Sequence, residues 1–392
     1  MKEMAEIEKL ITRPLHRKMR DYAAELGYDD LIFLNIGEPD FSTPPNIINA
    51  AINAMNSGIT HYTEEKGLPE LRRAISLKLQ EENTIEVDPN GILVTNGSAE
   101  AIFTIIISLI NPGDEIILFD PYYPSYLSST IMVHGKPILS PVNRESLMPE
   151  LNSVESLVTS KTKAIIVNSP CNPTGMVYNE ELMKSLSDTA EDNDIYIISD
   201  EVYDSFLYEG EKYASPALFD KSLERTIILN SLSKTYAMTG WRVGYLATNV
   251  DLANRIQKLK STINVCANSI SQKAALTALS SSEEYVQKMI DEYAKRRQYM
   301  LNALTKIKGF KCPISKGAFY LFPDISEIEM DSLKFSKYLI KEGHVVVSPG
   351  IAFGKCGEGH IRISYASSME NLIDAMERLS NAVERYDSIQ NI

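Results

Sequence analysis

The amino-acid sequence predicts an α/β fold: a large domain with a mostly parallel sheet covered by helices, and a smaller α+β domain. The first observation is a pattern that repeats through the centre of the chain, in which a short apolar run ends in polar or Gly/Pro residues and a helical segment usually follows. Such runs, alternating with helices, are typical of strands buried on both faces of a parallel sheet. The second observation is that the C-terminal part carries short strands and helices of its own.

Five apolar runs are interpreted as strands of this sheet, at residues 92–95, 115–119, 164–167, 195–198 and 226–229. The polar segments that follow them are residues 96–99, 120–124, 168–175, 199–203 and 231–242. Ligands of parallel sheets bind beyond the carboxyl ends of the strands. We therefore expect the five polar segments to meet at one edge of the sheet and to form a site there.

Further elements on either side of these strands complete the predicted fold. Residues 1–30 have a helical tendency, and helices are predicted at 46–57 and from Gly67 onward. Residues 250–310 are predicted to hold two helical stretches, one of them a long helix that leads to the smaller domain. The smaller domain is predicted to combine strands and helices at 317–322, 332–342, 345–350, 360–364 and 369–385. The predicted boundaries are an N-terminal arm with part of the small domain at 1–45, a large domain at 46–290 and a small C-terminal domain at 291–392.

Composition and charge argue against several classes of function. The chain has 392 residues and a formal net charge of −13, with no basic cluster, which argues against nucleic acid and anionic membranes as partners. No signal peptide is predicted, and the longest apolar run, 101–110, is too short to span a bilayer. The four cysteines are scattered and histidine is scarce, so neither a metal site nor a disulfide framework is predicted. We therefore predict a cytoplasmic protein with reduced thiols.

The segment 231–242 places one lysine, Lys234, between two serines and eight residues before Arg242. A lysine in a Gly/Ser/Thr-rich segment is usually a solvated loop residue. At the end of a core strand, however, desolvation and a neighbouring cation lower the pKa of the amine and free it to form a Schiff base. The serines and the arginine suit a phosphate dianion, and so do the free amides where Gly97-Ser98-Ala99 opens a helix, although Ser98 also suits a plain N-cap.

The lysine segment resembles the lysine signature of class I/II aminotransferases, which are pyridoxal phosphate enzymes of fold type I and include the aspartate and aromatic aminotransferases. Other segments resemble elements of the same family, namely Asn172-Pro-Thr-Gly175, Asp200-x-x-Tyr203 and the strand around Arg362. The resemblance extends over about residues 30–370. It implies a seven-stranded sheet in a large cofactor-binding domain, and a transaminase that moves an amino group between an L-amino acid and a 2-oxo acid.

The resemblance also implies roles for individual residues toward pyridoxal phosphate. Lys234 would bind the cofactor covalently and move a proton, and Asp200 would pair with the pyridine nitrogen. Tyr203 and Asn172 would contact the phenolate oxygen. An aromatic side chain would stack on the ring, with Tyr123 in the matching position and Tyr122 as its rival. The phosphate would be held by Gly97, Ser98, Ala99, Ser231 and Arg242, with Ser233 as a further candidate.

Substrate contacts and assembly follow from the same resemblance. Gly37, Asn172 and Arg362 would hold the α-carboxylate of the substrate. Tyr62 matches a tyrosine that reaches the cofactor phosphate of the neighbouring subunit, which implies a homodimer with shared active sites.

The sequence leaves the choice of substrate open. Ala99 stands where some aspartate-preferring relatives carry a lysine, whereas Tyr122, Tyr123 and Tyr126 suit an aromatic or broad pocket. The resemblance implies 2-oxoglutarate as the acceptor. Two alternatives remain, a β-lyase on the same scaffold and a non-catalytic regulator that binds the cofactor.

Overall fold

A computed structural model of the chain describes residues 5–11 and 13–390. Its α-helices are α1 Glu6–Leu10, α2 Leu15–Leu26, α3 Pro45–Asn56, α4 Pro69–Asn83, α5 Ser98–Leu109, α6 Pro124–Met132, α7 Leu151–Leu157, α8 Glu180–Asp192, α9 Leu232–Thr235, α10 Val250–Ile263, α11 Ser269–Ser281, α12 Glu283–Leu304, α13 Ser332–Tyr338 and α14 Met369–Gln390. Its strands are β1 Ile32–Phe33, β2 Ile92–Thr95, β3 Glu115–Asp120, β4 Lys136–Pro141, β5 Thr162–Asn168, β6 Tyr196–Asp200, β7 Thr226–Ser231, β8 Gly244–Ala247, β9 Tyr320–Leu321, β10 Val345–Val346, β11 Ser348–Pro349 and β12 Ile361–Ser364.

The central element is a seven-stranded sheet with the strand order β2-β8-β7-β6-β5-β3-β4. Within it, β8 runs antiparallel to both of its neighbours, and the other strands share one direction. The predicted mostly parallel sheet is therefore confirmed, and the five predicted strands correspond to β2, β3, β5, β6 and β7. Every residue of β2, β3 and β7 is buried, as expected for strands covered by helices on both faces.

The sequence analysis missed two strands of this sheet. Strand β4 lies at the sheet edge, is only partly buried and contains two prolines, so it lacks the apolar signal of a central strand. Strand β8 starts at Gly244, just after the lysine segment, and its short apolar run was not distinguished from that segment. The prediction of two helical stretches in 250–310 was also wrong, because three helices occupy this region. Asn268 separates α10 from α11, since its side chain accepts a hydrogen bond from the Ser271 amide and caps a new helix.

The N-terminal segment packs against the C-terminal part of the chain. Strand β1 pairs in parallel with β10, with Ile32 opposite Val345. On α2, Met19 and Ala23 are buried in one apolar cluster with Ile340 and Val346. A three-stranded antiparallel sheet of order β11-β12-β9 completes this smaller α+β region. The exact boundaries at residues 45 and 290 stay a prediction.

None of the helices in residues 5–11 and 13–390 combines the length and the apolar character needed to cross a bilayer.

Candidate active site

A cavity of about 320 Å³ lies at the carboxyl edge of the parallel strands. It brings together segments that are far apart in sequence, because the parallel strands all end on this side of the sheet. The predicted site residues that line it are Gly37, Ser98, Ala99, Tyr123, Asn172, Asp200, Tyr203, Lys234, Arg242 and Arg362. Tyr126 and Ser233, which were named as further candidates, line it as well.

Lys234 lies in the first turn after β7. The chain leaves β7 at Ser231, which caps the short helix α9, so the lysine side chain enters the cavity from the strand end. Its Nζ donates a hydrogen bond to the Gly37 carbonyl oxygen at 2.6 Å. Removal of water, reinforced by the positive charges of Arg242 and Arg362, lowers the pKa of the amine to about 8 despite the opposing charge of Glu38. A larger fraction of this amine is therefore neutral near neutral pH than of an ordinary lysine.

Asp200 ends strand β6 and is buried at the cavity wall. Its Oδ2 accepts a hydrogen bond from the Tyr126 hydroxyl at 2.6 Å, and its Oδ1 accepts one from the Val202 amide at 3.2 Å. Burial raises the pKa of this carboxyl to about 6, although both hydrogen bonds oppose the shift. A buried carboxylate of this kind suits a cationic partner placed in the cavity.

The start of α5 forms one end of the cavity, where the first helical amides have no partner within the helix. Arg242 lies beside it, and its Nη1 donates to the Thr239 carbonyl oxygen at 2.9 Å. Gly97 permits this arrangement, since it has a φ of +79° and a Cβ there would lie 2.4 Å from Arg242 Nη2. The amides of Ser98 and Ala99 together with Arg242 make a site for an anion.

The two serines before and after Leu232 differ in position. Ser231 Oγ accepts a hydrogen bond from the Ser233 amide at 3.1 Å and lies 3.0 Å from the Val243 carbonyl oxygen, so this side chain caps α9. Ser231 does not line the cavity, whereas Ser233 does. The geometry therefore favours Ser233 over Ser231 as the serine that faces a ligand.

Arg362 in β12 forms the opposite wall and is only 4% exposed. Its Nη1 donates to Asn172 Oδ1 at 2.9 Å, and its Nη2 donates to the Asn35 carbonyl oxygen at 2.8 Å. The guanidinium carbon lies 4.5 Å from the ring centroid of Tyr320 and 4.8 Å from that of Phe353. This packing fixes the arginine in a place where its planar group can bind a carboxylate.

Tyr203 is joined to Tyr320, since their hydroxyl oxygens are 2.7 Å apart. The position of Tyr320 also explains why residue 37 is a glycine, because a Cβ at that residue would lie 2.4 Å from the Tyr320 hydroxyl. Tyr123 lines the cavity and makes an edge contact with the ring of Tyr126, at 5.6 Å between centroids. Tyr122 does not line it, so the geometry favours Tyr123 for an aromatic contact with a ligand.

Two other predicted residues lie outside the cavity. Gly97 stands behind Arg242 and provides space rather than a contact. Tyr62 is 82% exposed and lies in a separate surface depression with His61 and Asn268. Within one copy of the chain, Tyr62 therefore does not reach the site.

The cavity also has lining residues that sequence reasoning missed. They are Arg17, Arg20, Asn35, Ile36, Asn168, Val202, Tyr320 and Phe353. Asn168 and Val202 lie within strand-end segments that were singled out, and they could have been found there. Arg17 and Arg20 share one face of α2 at i,i+3 spacing, but nothing in that local pattern indicates a distant cavity.

Comparison with known proteins agrees with this geometry. The family model described as aminotransferase class I and II matches residues 29–379. An aspartate aminotransferase of Pyrococcus horikoshii is 40% identical over 384 residues, 97% of each chain. An aromatic-amino-acid aminotransferase of Thermococcus litoralis is 38% identical over 372 residues, 94% of this chain and 95% of the other. The structure of Thermus thermophilus aspartate aminotransferase with maleate has a TM-score of 0.92 at 34% identity, and the match covers 97% of this chain and 100% of that one.

The family match spans most of the chain, and the similarity extends over nearly the whole length of these relatives. The resemblance inferred from the lysine, Asp-x-x-Tyr and Asn-Pro-Thr-Gly segments is thereby confirmed. This protein belongs to the class I and II aminotransferase family and is a transaminase of the aspartate and aromatic aminotransferase type.

Proposed function

We propose that this chain uses pyridoxal phosphate to move an amino group between an L-amino acid, aspartate or an aromatic one, and a 2-oxo acid, with 2-oxoglutarate as the acceptor. The observation that carries the proposal is a single cavity containing both Lys234, whose amine has a lowered pKa, and the buried Asp200 carboxylate. A transaminase needs an amine that can bond to the aldehyde carbon of the cofactor and an acid that can pair with its pyridine nitrogen.

The residues of the cavity fit pyridoxal phosphate by their chemistry. The amides of Ser98 and Ala99, with Arg242 and Ser233, would hold the phosphate. Lys234 would hold the aldehyde carbon, and Asp200 would keep the pyridine nitrogen protonated. Tyr203 and the amide group of Asn172 would donate to the phenolate oxygen, and Tyr123 would contact the ring face. Once bound, the cofactor would supply an electron sink for negative charge at the α-carbon of the amino acid.

The chain's own residues then position the substrate and move one proton. Arg362 would bind the α-carboxylate, which would take the place of Asn172 Oδ1 and the Asn35 carbonyl as acceptor of its N–H groups. Once the amino group of the substrate has replaced it at the aldehyde carbon, the freed Lys234 amine would accept the proton from the α-carbon and deliver it to that aldehyde carbon. Tyr320 and Phe353 pack on the guanidinium and would keep water away from it.

The relatives named above support the choice of substrates. One is named for aspartate and another for aromatic amino acids, at similar identity to this chain. The Thermus thermophilus enzyme was solved with maleate, a dicarboxylate. These names favour an amino-acid donor with either an acidic or an aromatic side chain.

We also propose a homodimer in which Tyr62 contacts the cofactor phosphate of the other subunit. Tyr62 lies in one surface depression with Cys266, and Val265, the chain neighbour of Cys266, is an exposed apolar residue, which favours burial of this surface in an assembly. Its position outside the cavity of its own chain is compatible with a role in a second copy.

The test is to add single amino acids to the cofactor-loaded protein and to follow the visible absorption band. A true donor bleaches the band, and 2-oxoglutarate restores it.

Lys234→Ala should take up no stable label on borohydride reduction and should lose about 10⁴-fold in kcat, the upper range for a general acid–base group. Uptake of pyridoxal phosphate by the wild-type protein should speed up as the pH rises towards about 8, because the neutral amine is the reactive form.

Other results would contradict the proposal. Release of pyruvate and ammonia without a 2-oxo acid would indicate a β-lyase. A bound cofactor whose spectrum ignores every amino acid would indicate a non-catalytic regulator.

A further inference from the structure

The cavity contains more positive charge than its cofactor and an α-carboxylate require. The cationic lining residues are Arg17, Arg20, Lys234, Arg242 and Arg362, and the one acidic lining residue among those described is Asp200. In the proposed function, Arg242 meets the phosphate, Arg362 meets the α-carboxylate and Lys234 reacts as an amine. Arg17 and Arg20 are left without an assigned anion.

These two arginines lie on one face of α2, three residues apart. Both are exposed at the mouth of the cavity. Neither guanidinium makes a hydrogen bond or an ion pair with the part of the chain that the structure describes. Arg13, just before the helix, differs from them, because its guanidinium is already paired with Asp21.

The helix that carries them is held in place by its other face. Met19 and Ala23 are 1% and 0% exposed and pack with Ile340 and Val346. Because α2 is anchored there, the guanidinium groups are kept at the cavity mouth. A ligand side chain that extends away from Arg362 and Lys234 towards the mouth would meet them.

We propose that Arg17 and Arg20 bind the distal carboxylate of a dicarboxylic substrate, so that aspartate, glutamate and their 2-oxo acids are preferred to aromatic amino acids. The inference rests on the proposed function and names the substrate class of the same site. Ala99 at the start of α5 offers no cation, and the two arginines on α2 supply the charge from a different element. Arginine is suited to this role, since its planar group binds a carboxylate through two parallel hydrogen bonds.

The experiment compares Arg17→Gln, Arg20→Gln and the double variant with Lys18→Gln in the cofactor-loaded protein. Lys18 is an exposed cation of the same helix that does not line the cavity. In the double variant, kcat/KM for aspartate and glutamate should fall by about 10–100-fold, the range for charged hydrogen bonds, while kcat/KM for alanine and phenylalanine changes less than about 2-fold. Lys18→Gln should leave the aspartate-to-alanine ratio unchanged, and replacement of both arginines by lysine should restore part of the loss.

A second measurement does not depend on turnover. Succinate cannot react, so its dissociation constant reports binding alone, and it should rise by a similar factor in the double variant, whereas the constant for acetate should not. If succinate binding and the aspartate-to-alanine ratio are both unchanged, the inference is wrong although transamination stands. If no amino acid is a donor for the wild-type protein, the proposed function fails, and the succinate measurement still decides whether the arginines bind a second carboxylate.

Discussion

The inner wall of the cavity and its mouth are built in different ways. On the inner wall, Asp200, Asn172, Arg362 and Tyr203 are buried and each already hydrogen-bonds to another part of the chain. At the mouth, Arg17 and Arg20 are exposed, and their guanidinium groups have no partner among the described residues. In the proposed function, a preorganised wall suits what does not change from one substrate to the next, namely the cofactor and the α-carboxylate. An unpaired, exposed mouth suits the part of the substrate that varies.

After the loss of Lys234 itself, the largest expected effect is at the inner wall, where Asp200→Asn should lower kcat by about 10²–10³-fold, as the loss of a preorganised electrostatic group does. An amide cannot hold the pyridine nitrogen protonated, so every donor should be affected alike. The measurement is kcat for aspartate, alanine and phenylalanine in parallel. A loss confined to aspartate would place Asp200 with the mouth instead and would break the comparison.

A smaller effect is expected from Tyr320→Phe, which removes the hydroxyl that lies 2.7 Å from the Tyr203 hydroxyl but keeps the ring against Arg362. Loss of one hydrogen bond corresponds to about 1 kcal/mol, so kcat/KM should fall by about 5-fold for all donors. The pH titration of the visible band should shift as well, because in the proposed function Tyr203 would donate to the cofactor. Tyr365→Phe is the matched control, since its hydroxyl donates to the Ala318 carbonyl oxygen outside the cavity. An unchanged titration in Tyr320→Phe would show that the hydroxyl pair does not act on the cofactor.

The smallest expected effect concerns which of the two serines, Ser231 or Ser233, belongs to the inner wall of the cavity. Ser231→Ala should cost about 1 kcal/mol in the free energy of unfolding, because its side chain caps α9, while the affinity for pyridoxal phosphate changes little. Ser233→Ala should instead weaken cofactor binding, because Ser233 lines the cavity. Chemical denaturation and cofactor titration of both variants measure the two quantities. Equal losses of cofactor affinity in the two variants would show that Ser231 also contacts the phosphate.

Much of the fold and of the inner wall could be predicted because both follow from one local pattern. Asp200 ends a buried parallel strand, Asn172 and Lys234 follow soon after two others, and parallel strands end on one side of a sheet. Strand β4 lacked that pattern at the sheet edge, and the three-helix division of 250–310 depended on a cap at Asn268.

The mouth could not be predicted from local patterns, because it depends on contacts across the whole chain. Arg17 and Arg20 reach the cavity only because β1 pairs with β10 and α2 packs on residues near 340. Tyr320 likewise arrives from the C-terminal region. The choice between Ser231 and Ser233 depends on which way a side chain points at a helix start, and the order of residues alone does not determine that.

The anchoring of α2 by Met19 and Ala23 has an evolutionary consequence. The helix lies outside the central sheet, so its outward-facing positions can mutate without disturbing Lys234 or Asp200. Substitutions at these positions could therefore alter the charge at the cavity mouth while the inner wall keeps its structure.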